Sequence, residues 1–175
     1  MIDEEIEQHA LGILREFDAL RFPVPIEAIA EAKGAVIARN HFSGTESGFA
    51  LRQGRTKIIG VNTATSPRRQ RFTIAHELGH LELHAEKALI VDHSVFLYNR
   101  DDLSSAGTDR QEIQANAFAA AILMPDELVH PKLQHEFSRG NFDSRDELIA
   151  RMARAFDVSN EAMGYRLINL NYMTA

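Results

Sequence analysis

Arg68-Arg69-Gln70-Arg71-Phe72-Thr73-Ile74-Ala75-His76-Glu77-Leu78-Gly79-His80 is the stretch around which the chain is organised. It closes in H-E-x-x-H. Residues four apart on a helix lie almost one above the other, so His76 and His80 can turn both imidazoles towards one cation. Glu77, beside the first His, then stands near that cation without having to bind it. Two imidazole ligands plus a carboxylate able to take a proton from water is the donor set of a zinc hydrolase. So short a motif also arises by chance, and its weight comes from its surroundings. The segment reads as a helix with Phe72, Ala75, Leu78, Gly79 and Leu83 available for an inner face, and a second helix downstream offers a third ligand.

Working outwards, Ser66-Pro67 marks the start of this helix, since Pro fits a first turn, and the helical pattern continues to about Glu86. Gly79 inside it costs about 1 kcal/mol relative to Ala, which calls for a packing reason such as a second helix pressed close. Upstream, Ile2 to Leu20 carries apolar residues at helical spacing, and Phe22-Pro23-Val24-Pro25 stops it. A short helix from Pro25 to Ala32 ends at Gly34. Ala35 to Ala38, Ser47 to Leu51 and Lys57 to Val61 read as strands, the last two joined by a turn at Gln53-Gly54-Arg55. These imply a small antiparallel sheet beside the H-E-x-x-H helix, and Lys57 to Val61 is the strand expected to pair with an extended substrate backbone.

Downstream, Ala88 to Leu97 contains a further strand, and Asn99 to Asp109 reads as a loop, with Thr108 or Asp109 capping the next helix. That helix, Arg110 to Met124, is polar in its first half and almost wholly apolar afterwards, so it is buried; Pro125 breaks it. Helices follow at Asp126 to Phe137, Ser144 to Phe156 and Ser159 to Leu170. The expected architecture is α+β: a mostly helical single domain over residues 1–175, with a catalytic core at 1–138 and a C-terminal helical part at 139–175.

A catalytic zinc takes three protein ligands and one water. The chain has no Cys, so the third ligand is a His or a carboxylate. His84 extends the series of His76 and His80, but eight helical residues advance about 12 Å, whereas each ligand atom sits about 2 Å from the ion. Glu112 is better placed, near the start of a buried helix where a carboxylate is otherwise hard to explain, with Ala115, Asn116 and Ala119 sharing its face. His93 remains a candidate from a less regular region. His84 and Asn116 are candidates to support a ligand or edge the substrate, and Tyr98 is a candidate to stabilise an oxyanion.

The paired stretches R-F-T-I-A-H-E-L-G-H and E-I-Q-A-N-A-F-A-A-A-I-L-M-P resemble the ImmA/IrrE-type zinc metallopeptidases over about Arg68 to Pro125, with a weaker echo from Ala155 to Leu167. The resemblance implies a cytoplasmic endopeptidase with His76, His80 and Glu112 on zinc and Glu77 as catalytic acid/base. It also implies a protein substrate, a helix-turn-helix repressor whose cleavage switches on stress or mobile-element genes. A His/His/carboxylate site accepts other divalent ions as well.

Charge and composition bear on the rival readings. The net charge of −6 argues against broad binding to nucleic acid or to an anionic membrane. The acidic N-terminus lacks the pattern of a signal peptide, and the longest apolar run, Ala117 to Met124, is too short to span a bilayer; both fit a soluble, cytoplasmic chain. A DNA-binding regulator is one rival, because Ala150 to Leu170 has the outline of a helix-turn-helix. From Arg145 to Arg166, however, four Arg face two Asp and two Glu, without the basic excess that a groove-binding element carries. A non-catalytic zinc-containing partner in a toxin–antitoxin pair is the other rival, and the carboxylate of Glu77 argues against it.

Overall fold

A computed structural model describes residues 3–42, 46–84, 89–92, 106–140 and 142–174, with the backbone alone described at 89–92 and 106–109. Its contacts divide the chain into two compact units, one made of residues 26–119 and the other of residues 1–25 together with 120–175. The fold class is α+β. Among the described residues, no helix is long and apolar enough to cross a membrane.

The unit of residues 26–119 holds α2 (Ile26–Ala32), β1 (Ala35–Asn40), β2 (Gly48–Gln53), β3 (Thr56–Asn62), α3 (Pro67–Leu83), β4 (Leu89–Asp92) and α4 (Ala106–Leu123) as far as Ala119. The strands form one sheet in the order β1-β3-β2-β4. β2 and β3 are an antiparallel hairpin with Gly54 at φ 62, as the turn at 53–55 requires, and β4 pairs antiparallel with β2. β1 pairs in parallel with β3, Ala35 opposite Lys57 through Asn40 opposite Asn62, so the sheet is mixed rather than wholly antiparallel. The path from β1 through β2 is long enough to return the chain in its starting direction, as a parallel pair requires. That arrangement also overturns one expectation: β3 is an inner strand, its ladder groups taken on both sides by β1 and β2, and it has no edge left for a substrate.

Ser66 caps α3, its Oγ accepting from the Arg69 amide at 3.3 Å, and Pro67 occupies the first turn. The helix stops at Leu83, short of Glu86, where His84 leaves helical geometry at φ −123, ψ 51. Nine consecutive residues, Thr73 to Leu81, are buried, so α3 is enclosed on every side rather than along one stripe. Gly79 has its packing reason: a Cβ there would lie 3.0 Å from Cδ1 and 3.2 Å from Cβ and Cγ of Phe118, so α4 presses its largest side chain onto that bare backbone. α4 begins at Ala106, four residues before the expected start, and Thr108 and Asp109 therefore lie inside the helix instead of capping it. An acidic residue is favoured in a helix's opening turns, which reconciles Asp109 with that place.

Gly48 opens β2 where α3 crosses closest. A Cβ at this position would stand 2.4 Å from Thr73 Cγ2 and 2.5 Å from the Gly60 carbonyl oxygen. Gly48→Ala is expected to destabilise the chain by about 1–3 kcal/mol, because a backbone atom must move. A Cβ at Gly12 in α1 would meet nothing within 4 Å, and Gly12→Ala is expected to stabilise by about 0.5–1 kcal/mol through helix propensity. Urea denaturation of the two variants measures both signs.

The unit of residues 1–25 and 120–175 contains α1 (Glu4–Glu16), the end of α4, α5 (Asp126–Arg139), α6 (Arg145–Phe156) and α7 (Asn160–Asn169). α1 ends four residues before Leu20, with Asp18 in the left-handed region at φ 49. Ser144 and Ser159 cap α6 and α7 through their hydroxyls, and Asp157 at φ 53 turns the chain between them. Met163, Arg166 and Leu167 of α7 are buried, so this face of the helix-turn-helix outline is spent on packing. Arg166 donates to both carboxylate oxygens of Glu7 and, through Nε, to the Met124 carbonyl at 2.8 Å.

Candidate metal centre

α3 supplies two imidazoles and α4 one carboxylate to a single point. His76 Nε2 lies 3.0 Å from His80 Nε2 and 3.1 Å from Glu112 Oε2, and His80 Nε2 lies 3.3 Å from Glu112 Oε1. Both histidines are buried, at 3% and 1% exposure, while Glu112 keeps a partly open side. Bonds of 2.0–2.1 Å to a tetrahedral ion place neighbouring ligand atoms about 3.3 Å apart, so these spacings are those of three corners around one cation. The nitrogen and oxygen donors also suit a divalent ion of zinc type. Burial works to raise the Glu112 pKa, but hydrogen bonds from His76 and His80, and their charge when both ring nitrogens carry protons, outweigh it and hold the group at about 2. Glu112 is therefore a carboxylate at neutral pH, the form that can bind a cation.

The surroundings fix the donors. Asn116, one turn after Glu112, places Oδ1 3.0 Å from His76 Nδ1, so that Nδ1 carries the proton and donates while Nε2 faces the site. The Phe72 ring stacks on His76 from the turn before, at 6.4 Å between centroids and 29° between planes, and the Arg69 guanidinium sits 5.7 Å from the Phe72 centroid. The i, i+4 spacing of Phe72 and His76 is the sequence signal for that contact. His80 Nδ1 is buried with no hydrogen-bond partner among the described residues.

Glu77 is wholly buried, with Oε1 3.4 Å from where a Gly48 Cβ would stand, so the start of β2 runs beside its carboxylate. No local feature of the sequence announces this role for Gly48. His84 is not among the grouped donors; its Nε2 faces the Gln111 carbonyl at 3.3 Å, and its ring centre is 5.5 Å from that of His80. Tyr98 and His93 lie outside the described residues.

A buried H-E-x-x-H helix and a carboxylate-bearing helix packed on its glycine bring together a His/His/Glu group that could hold a metal ion. Residues 30–168, most of the chain, match the IrrE N-terminal-like domain, and the chain belongs to that family.

Among its relatives, the Radiation response metalloprotease IrrE of Deinococcus radiodurans is 33% identical over 111 residues, covering 63% of this chain and 30% of that protein. The protein of the same name from Deinococcus deserti is 35% identical over 111 residues, covering 63% and 35%. Uncharacterized immunity region protein 2 of Bacillus phage phi105 is 30% identical over 112 residues, covering 64% and 66%. The matches thus span about a third of the length of the two Deinococcus proteins and just under two thirds of the phage protein. A solved structure titled Mycobacterium tuberculosis transcriptional regulator shares the fold at a TM-score of 0.63 and 20% identity, over 95% of this chain and 48% of that one.

Proposed function

We propose that this chain is a zinc-dependent endopeptidase in which His76, His80 and Glu112 hold the metal and Glu77 is the catalytic acid/base. The observation that carries the proposal is the convergence of three donor atoms, 3.0–3.3 Å apart, from two helices. A divalent cation held by these three residues would supply a water of lowered pKa and a Lewis acid for the scissile carbonyl. Glu77, next to His76 on the same helix, accepts the proton of the attacking water and delivers it to the departing amine. Asn116 holds His76 with Nε2 turned to the site. The partly exposed side of Glu112 is the side on which a substrate carbonyl can enter.

The substrate we assign is a helix-turn-helix repressor met in the cytoplasm. Kinship to a phage immunity-region protein and to two proteins named as radiation response metalloproteases supports that assignment. The test is incubation with the purified repressor encoded beside the chain. A chelator is expected to abolish cleavage and stoichiometric Zn2+ to restore it. Cleavage that persists after exhaustive chelation, with no metal left on the protein, sinks the proposal.

A further inference from the structure

The geometry points to His84 as a positioning residue that holds the metal-binding turn of α4 in place. The inference rests on the metal site proposed above and concerns what keeps its third corner at the right distance. His76 and His80 belong to one helix, so their spacing is set by the helix itself. Glu112 comes from another element, and its place depends on how that element is moored.

Among the described residues, two polar ties moor it. Asn116, four residues after Glu112, meets His76 at 3.0 Å, and His84 meets the carbonyl of Gln111, the residue immediately before Glu112, at 3.3 Å. His84 stands where α3 stops. Its own amide bonds the His80 carbonyl at 2.9 Å, and its Nε2–H donates across to α4. The two ties bracket the ligand, one on each side along α4, and together they fix both the rotation and the height of the turn that presents it. Metal–ligand distances tolerate about 0.2 Å, so a turn released at one end no longer presents its carboxylate correctly.

Orientation argues against a ligand role: the Nε2 of His84 is turned to a peptide carbonyl, and among the described residues His84 stands outside the group of converging donors. In the variant His84→Gln, the side-chain amide offers an N–H donor at a reach similar to that of Nε2 while being a poor metal ligand. This substitution therefore separates positioning from ligation.

The test uses the full chain and Zn2+ alone, titrated against a chromophoric chelator, with the thermal midpoint of the metal-free protein measured alongside. His84→Ala is expected to weaken Zn2+ affinity by about 10–100-fold, the range typical of lost support behind a ligand, and His84→Gln to recover most of it. A purely structural His84 would instead lower the metal-free midpoint and leave the affinity of the folded protein unchanged. Wild-type affinity in His84→Ala, or affinity in His84→Gln as weak as in His84→Ala, overturns this inference while leaving the metal site intact. Failure of the wild-type chain to take up Zn2+ overturns the site and this inference together.

Discussion

Glu77→Gln is expected to reduce repressor cleavage by about 10²–10⁴-fold, the contribution of a positioned general acid/base, while Zn2+ stays bound at one equivalent. Gln has the shape of Glu, which matters at a position with no exposure, so the substitution removes the proton acceptor with little disturbance of packing. The proposed metal ligands are other residues, and their spacing does not involve the Glu77 side chain. Time-resolved gels and metal analysis on the same sample read the two quantities independently. Cleavage by Glu77→Gln at the wild-type rate would remove Glu77 from the chemistry; loss of both metal and cleavage would show that the carboxylate serves the site's assembly instead.

The largest stability effect is expected in the other unit. Arg166, 3% exposed, is neutralised by Glu7 through a two-pronged contact and has its Nε on the Met124 carbonyl. Glu7→Ala leaves a buried guanidinium without its counter-charge, and such losses cost about 3–5 kcal/mol. Because α1, the end of α4 and α7 meet at this one side chain, the change should lower the denaturant midpoint of the unit formed by residues 1–25 and 120–175. Arg166→Met with Glu7→Leu, which removes both charges at once, should recover much of the loss. A Glu7→Ala midpoint within experimental error of wild type would show that Arg166 finds solvent elsewhere.

The site is legible where its logic is local. The i, i+4 pair of His76 and His80 is helix geometry alone, and Glu112 stands out as a carboxylate in a helix otherwise bound for the interior. Gly79 is legible as a demand for close packing, although its nearest partner, Phe118, is not. What stays hidden depends on partners that carry no side-chain signature. The acceptor for His84 is a peptide carbonyl, which every residue possesses. Gly48 owes its importance to a helix that arrives through tertiary packing, and the parallel pairing of β1 with β3 is a choice among neighbours that six residues of strand do not encode. Arg166 has the sequence setting of a surface charge on an amphipathic helix, and only its counter-ion, 159 positions away, makes its burial tolerable.

That long separation orders events during synthesis. All the described donors lie in one uninterrupted stretch, residues 26–119, which is synthesised before α7. Glu7, by contrast, cannot meet its ionic counterpart until the codon of Arg166 has been read. The proposed hydrolytic site is thus assembled from contacts close together along the chain, and the helix that carries Glu7 must wait, unclasped, for its distant mate.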